Sequence, residues 1–228
     1  MPGSFDYSNY GSWKGVGTAR NWRPNLPNRY IRFLNGVDRS KPVVELGCAD
    51  GSFMRAMRRA GFADVRGIDL CPEYAGCTGV EIGDAREIID RASDASLGGV
   101  VALDVFEHIP QVDLRDLLIA CRQKLIPGGQ VIFRVPNAGS SLGLINQNGD
   151  MSHVNAFNEV SVRQLAFDTG LSVRRVAAEP FAYPRSLAAL VGIVLWPVYK
   201  GLMRTIFAAY GQRPAVITPN LVCILTRS

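Results

Sequence analysis

The chain has 228 residues, with 25 Lys plus Arg against 20 Asp plus Glu for a formal charge of +5, and it is 47% hydrophobic and 20% charged. At ~150 residues per domain that length fits one or two domains, and the composition excludes both a disordered chain and a fibrous repeat. A chain this long needs no disulfide or metal staple, and its mild basic excess suits a nucleic acid, an anionic membrane or a phosphorylated ligand alike.

Residues 1–26 set Gly, Ser, Asn and Pro between Tyr7, Tyr10, Trp13 and Trp22, and read as an irregular arm that either closes over a site or packs on the core. Pro27 to Val37 reads as a short amphipathic helix with Tyr30, Ile31 and Leu34 on one face. Residues 1–40 thus form an arm and cap helix ahead of a main domain at 41–228. From Val43 the pattern alternates. Val43 to Gly47 is a short apolar run ending in glycine, hence a buried strand, and Ser52 to Ala60 is a helix with Arg55, Arg58 and Arg59 on its polar side. Strands follow at Val65 to Leu70 and Val80 to Gly83, then a helix from Ala85 to Ala92 that Asp84 can cap. Val100 to Leu103 is a further strand, Leu114 to Leu125 a helix stopped by Pro127-Gly128-Gly129, and Gln130 to Val135 a strand ended by Pro136. Strands and helices alternating at this spacing predict a parallel sheet covered on both faces.

Glu159 to Thr169 is a helix ended by Gly170, Ser172 to Ala177 a strand, and Ala215 to Leu225 a last strand. Between them lies the apolar segment Pro180 to Tyr210. No repeat and no linker divides the chain, so the expectation is one domain with an insertion at about 180–210. Cys48, Cys71, Cys77, Cys121 and Cys223 form no CxxC pair and no Cys/His cluster of zinc spacing, which points to a reducing, cytoplasmic setting and to no metal. Met1 to Trp13 has neither a basic start nor an apolar centre, so no signal peptide is expected. Leu187 to Tyr199 is thirteen residues long and holds Pro197; a span needs ~20, so a core or interfacial role is expected.

The turn Glu45-Leu46-Gly47-Cys48-Ala49-Asp50-Gly51 joins the first strand to its helix. Glycine allows a sharp turn and a close ligand, and the helix start offers N–H groups and partial positive charge. No Gly-Lys-Ser/Thr follows, which excludes a P-loop, and Ala49 and Ser52 occupy two of the glycine positions of a dinucleotide fingerprint. Asp69 ends the next strand, where an acid can accept from ribose hydroxyls, and Asp84 ends the third, where it either reaches an adenine amino group or merely caps a helix.

With these three strand ends in order, residues 40–178 resemble the class I S-adenosylmethionine-dependent methyltransferases. Glu45 to Gly51 is similar to the family's Glu/Asp-x-Gly-x-Gly-x-Gly turn, with Ala49 in the place of the middle glycine. Asp104-Val105-Phe106-Glu107-His108-Ile109-Pro110 resembles an Asp-x-x-Glu-His segment after the fourth strand of many small-molecule members, and Leu125 to Gly129 their turn before the fifth strand. The resemblance implies a Rossmann-like, doubly wound α/β sheet of seven strands with the last antiparallel, and a helix between Cys71 and Thr78 shorter than usual. It implies S-adenosylmethionine (SAM) as cofactor, held by Glu45, Gly47, Ala49, Gly51, Asp69, Asp84, Ala85, Asp104 and Val105.

His108 and His153, the two histidines of the chain, both fall near the ligand edge. Either can accept a proton from an acceptor hydroxyl, since histidine titrates near neutral pH; the alternatives are a packed turn for His108 and a solvated loop for His153. The bases of a nucleic acid are disfavoured as acceptor, because Asp104-Val105-Phe106-Glu107 is not an Asp/Asn-Pro-Pro-aromatic motif and no Pro-Cys pair occurs. The expected reaction is methyl transfer to a hydroxyl of a small molecule or glycan precursor, including a sugar on a nucleotide or lipid carrier. A SAM-binding protein without turnover and a nucleotide-dependent oxidoreductase are the competing readings. The apolar segment, with Leu202, Met203, Ile206 and Phe207 and bounded by Arg185, Lys200 and Arg204, reads either as a helical hairpin packed on the sheet or on a second subunit, or as an interfacial helix at the inner membrane surface.

Overall fold

In the computed structural model, which describes residues 26–181, 184 and 186–228, the alternating pattern forms one seven-stranded sheet. Its strands are β1 (Val43–Leu46), β2 (Val65–Asp69), β3 (Val80–Ile82), β4 (Leu97–Leu103), β5 (Leu125–Pro136), β6 (Ser172–Ala178) and β7 (Asn220–Thr226). They lie in the order β3-β2-β1-β4-β5-β7-β6, with β7 antiparallel to both of its neighbours. The helices are α1 (Leu26–Tyr30), α2 (Ser52–Arg59), α3 (Ala85–Asp90), α4 (Gln111–Lys124), α5 (Gly143–Asn148), α6 (Glu159–Thr169) and α7 (Leu187–Ala209). The expected arm, with Tyr7, Tyr10, Trp13 and Trp22, lies outside the described residues, as does Arg185.

All four residues of β1 are buried, as are six of the seven in β4, because both faces of these central strands are covered. One face packs Phe106, Phe133, Leu114, Leu118 and Val162; the other packs Tyr30, Phe33, Leu34, Phe53, Met54 and Met57. The predicted helix at 27–37 is therefore real packing material, although its second half tightens into a 3-10 turn, Ile31–Leu34.

Three boundaries differ from expectation for local reasons. Pro127-Gly128-Gly129 does not precede β5 but bulges within it: Leu125 pairs with Leu97 and Gln130 with Gly99, and Gly128 at φ 77 makes the detour. β7 begins at Asn220, not Ala215. The carbonyls of Val216 and Thr218 are taken by Asn137 Nδ2 and that of Ile217 by Ser140 Oγ, so these residues have no strand partner. A 3-10 turn, Pro72–Tyr74, stands in place of a helix between Cys71 and Thr78.

The apolar segment is one continuous helix rather than a hairpin. α7 runs 23 residues through Pro197 with none buried, and by length and composition alone it could cross a membrane. Its half-buried side, Ile193, Trp196, Tyr199, Met203 and Phe207, faces the domain; Trp196 meets Phe181 at 5.4 Å and Tyr199 Oη lies 3.2 Å from Ser141 Oγ. Its outward side is Leu187, Val191, Val194, Val198, Leu202 and Ile206, all exposed. That order is the reverse of an ordinary surface helix.

Candidate active site at the carboxyl edge of the sheet

Parallel register brings the ends of β1, β2, β3 and β4 to one edge, where Leu46 is level with Ile68 and Ala102, and Asp69 with Ile82. Past Leu46 the chain turns through Gly47 (φ 65), Ala49 (φ 47) and Gly51 (φ 73). A Cβ on Gly47 would lie 2.4 Å from Val105 Cγ2, so the loop after β4 presses directly on the glycine. Ala49 adopts the left-handed conformation that glycine supplies more cheaply, at ~1–2 kcal/mol. Its N–H donates to Asp69 Oδ2 at 2.7 Å, and the N–H of Cys71 donates to Asp69 Oδ1 at 2.9 Å. Asp69 thereby fastens the glycine turn to the end of β2, and burial pushes its carboxyl above the usual range.

The start of α2 is not open for an anion, contrary to expectation. Asp50 Oδ1 accepts from the Ser52 N–H at 2.9 Å and the Ser52 hydroxyl at 2.6 Å, and the Met54 N–H serves Glu45. Burial alone would raise the Asp50 carboxyl, but the Ser52 bonds and the Arg55 guanidinium at 3.1 Å outweigh it and hold it low. Glu45 is 3% exposed, and its Oε2 has no hydrogen-bond partner among the described residues. Burial first, then the charges of Asp50 and Asp69, pushes it well above the carboxylate range. Three acids around one turn disfavour the pyrophosphate of a dinucleotide and favour a ligand with positive charge. Tyr74, half-buried beside Asp69, has its phenol pushed up to about 12 by burial and then by that carboxylate.

Asp84 sits at the same edge but is exposed, and its side chain accepts the Arg86 N–H at 2.7 Å to cap α3, with half-buried Ala85 beginning that helix. Asp104, at φ 61, forms an ion pair with Arg134. Arg134 also lies 3.1 Å from Glu179, which accepts from Tyr30 Oη and pairs with Arg29 at 2.7 Å. Burial opposes ionisation of Glu179, but Arg134 foremost holds its carboxyl below the usual range. This network had one cue in the sequence: a single arginine inside the apolar strand Val131 to Val135.

The two histidines are brought together by two loops. Val154 and Asn155 N–H both donate to the Glu107 carbonyl at 2.8 and 3.1 Å, and Asn155 Nδ2 donates to the carbonyls of Phe106 and Ile109 at 3.2 and 2.5 Å. This clamp sets the His108 and His153 rings 4.6 Å apart, edge to face. Ser152 Oγ donates to Asp150 Oδ1 at 2.5 Å, so toward His108 Nδ1, 2.9 Å away, it acts as acceptor. His153 Nδ1 faces the Gln147 carbonyl at 2.9 Å, which can only accept. In both rings the Nδ1 proton is thus committed, so Nε2 is the nitrogen left to exchange a proton. His108 N–H in turn donates to the carbonyl of Val105 at 3.0 Å, so the turn that presses on Gly47 also carries the first histidine. Asp150, Ser152, Gln147 and Asn155 had no role in the sequence reading.

A family model described as a methyltransferase domain matches residues 19–176. The chain belongs to the class I SAM-dependent methyltransferases. Among relatives of this methyltransferase, a ubiquinone biosynthesis O-methyltransferase of Erwinia tasmaniensis is 30% identical over 115 residues, 46% of each chain. One of Ralstonia nicotianae is 34% identical over 103 residues, 41% of this chain and 42% of that one. The chain thus spans about half the length of the curated relatives it matches. A SAM-dependent methyltransferase of Archaeoglobus fulgidus superposes with a TM-score of 0.68 at 20% identity, covering 94% of this chain and 99% of the other. One of Mesorhizobium loti gives 0.57 at 17%, covering 90% and 98%. At these identities the likeness is of fold.

SAM is the methyl donor of the family, and the residues present fit it. Gly47, Ala49 and Gly51 turn the chain sharply at the sheet edge, and the buried Glu45 Oε2 is an acceptor with no donor among the described residues. The sulfonium and ammonium groups of SAM supply the positive charge that Glu45, Asp50 and Asp69 favour.

Proposed function

We propose that this methyltransferase methylates a hydroxyl oxygen of a small molecule or glycan precursor. The observation that carries the reading is the pair of imidazoles 4.6 Å apart, one of them on the turn that packs on Gly47. When bound, SAM supplies a methyl group on a good leaving group, so the chain has chiefly to align the partners and exclude water. Glu45, Gly47, Ala49, Gly51, Asp69 and Val105 hold the cofactor side, with Asp84 and Ala85 at its adenine end and Asp104 behind. His108 and His153 accept the hydroxyl proton, a task an amine acceptor would hardly need. Asp150 and Ser152 orient one ring and the Gln147 carbonyl the other. The O-methyltransferase names of the relatives support the same atom.

Labelled SAM incubated with a panel of phenols, catechols and sugar hydroxyls tests this directly. His153→Ala and His108→Ala are expected to lower turnover ~10²–10⁴-fold with SAM affinity unchanged. Transfer to amines at the wild-type rate in both variants would sink the hydroxyl assignment.

We also propose that α7 lays its outward aliphatic side on an anionic membrane surface of the cytoplasm. Lys200 and Arg204 lie on the far side of the helix from those aliphatic residues, so the aliphatic side makes the contact and the chain's formal charge of +5 favours an anionic surface. Flotation with anionic but not neutral vesicles is the expected outcome; a stable dimer that ignores vesicles would assign that face to a second copy.

A further inference from the structure

Glu107, His108 and His153 each bring one donor atom, a carboxylate oxygen or an imidazole nitrogen, within 4.8 Å of the others. Two ligands each ~2.1 Å from one ion lie at most ~4.2 Å apart, so a closure on the order of 1 Å would seat a cation among all three. Glu107 is 1% exposed, held in the turn after β4 by the clamp on its own carbonyl, and it feels the charge of Arg134. Each imidazole has its Nδ1 proton committed, one to Ser152 and through it Asp150, the other to the Gln147 carbonyl. Ligating histidines are oriented in this way, with the far nitrogen donating to a carboxylate, hydroxyl or carbonyl so that the near one points at the ion.

We propose that Glu107, His108 and His153 form a binding site for a divalent transition-metal cation. Two imidazoles and one carboxylate suit zinc, manganese, iron(II) or cobalt(II), and they leave further positions of the ion open. The use of those positions rests on the methyl-transfer reading: an acceptor hydroxyl binds there, loses its proton to water and is held as oxyanion. In the transfer the oxygen–methyl bond forms as the sulfur–methyl bond breaks, and sulfur leaves as a neutral thioether. With the cation present the two imidazoles ligate it, and the ion, by lowering the hydroxyl pKa so that the proton leaves to water, takes over from the imidazole base.

The test uses the full chain, stripped with chelator and titrated with cobalt(II) alone, read by visible absorption and by total metal after dialysis. One cation per chain is expected. His153→Ala, a half-buried loop position, should weaken cobalt binding at least ~100-fold, and Ser152→Ala, which removes the hydroxyl facing His108 Nδ1, about 10-fold. Glu107→Gln should lose the cation as well, with SAM titration of each sample showing that it is folded. No bound cobalt in a folded wild-type chain, or equal affinity in His153→Ala, would overturn the site. Full methyl transfer by the stripped chain would overturn its use in the reaction. Bound cobalt without transfer to any hydroxyl would leave the site standing and remove the proposed function instead.

Discussion

Around the glycine turn, the important side chains are carboxylates fastened to main-chain N–H groups: Glu45 on Met54, Asp50 on Ser52, Asp69 on Ala49 and Cys71. Around the histidines they are imidazoles fastened through Nδ1 to a serine and a carbonyl. The first half gathers carboxyls at the proposed cofactor side; the second gathers imidazoles at the proposed acceptor side. The two halves meet in one short turn, since Val105 touches Gly47 and also receives the N–H of His108. The contrast teaches that one edge of a sheet can hold charge and basicity apart by a few residues, provided that the connecting turn is rigid.

The strongest way to break that arrangement is to remove what stands behind it. Arg134→Met would leave Glu179, 11% exposed in its side chain, facing no guanidinium from β5, and would release Asp104 before Val105. A loss of about 3–5 kcal/mol in urea unfolding is expected; a loss under about 1 kcal/mol would show that the network does not brace the edge.

Gly47→Ala attacks the joint. The new Cβ meets Val105 at φ 65, and a cost of about 2–3 kcal/mol together with loss of SAM binding is expected. Adding Val105→Ala should restore only the steric part, which calorimetry on the double variant would show.

Glu45→Gln acts with the opposite sign on stability. Because the folded Glu45 carboxyl titrates above its ordinary 4.5, the native state binds more protons than the unfolded one from that value up to the folded pKa. Stability therefore falls as pH rises through this window. The variant should flatten that slope and melt higher at neutral pH, while binding SAM more weakly; an unchanged pH profile would mean that the acid is not the source.

Asp84 separates a cap from a ligand. Asp84→Ala should cost about 1 kcal/mol, whereas Asp84→Asn caps as well and keeps stability. Weaker SAM binding by Asp84→Asn is the result expected if the carboxylate meets adenine. The smallest stability effect is expected at α7, where Val194→Glu and Val198→Glu should stay within about 0.5 kcal/mol because both side chains are exposed. A larger loss in the isolated monomer would show that the outward face is internal after all.

Chain order and local chemistry were enough for the doubly wound sheet, the glycine turn and the acid at the end of β2. Apolar runs of strand length, glycine at a turn and an acid at a strand end each report on a backbone within a few residues, and Asp69 indeed meets Ala49. The boundary errors at β5 and β7 arose where a bulge or a side-chain bond, not propensity, fixed the backbone. The histidines could be named as residues but not as a pair, because their approach depends on Asn155 and Glu107 closing two loops across more than forty residues. Arg134 could not be read as the hub of an ion network until β4, β5 and the chain after β6 came together. The composition of Leu187 to Tyr199 showed that it is apolar, yet its direction was open, since periodicity marks a face without saying whether that face turns inward. Folding settles such matters, for the burial of a side chain and the partner of a charge are properties of neighbours distant in the chain.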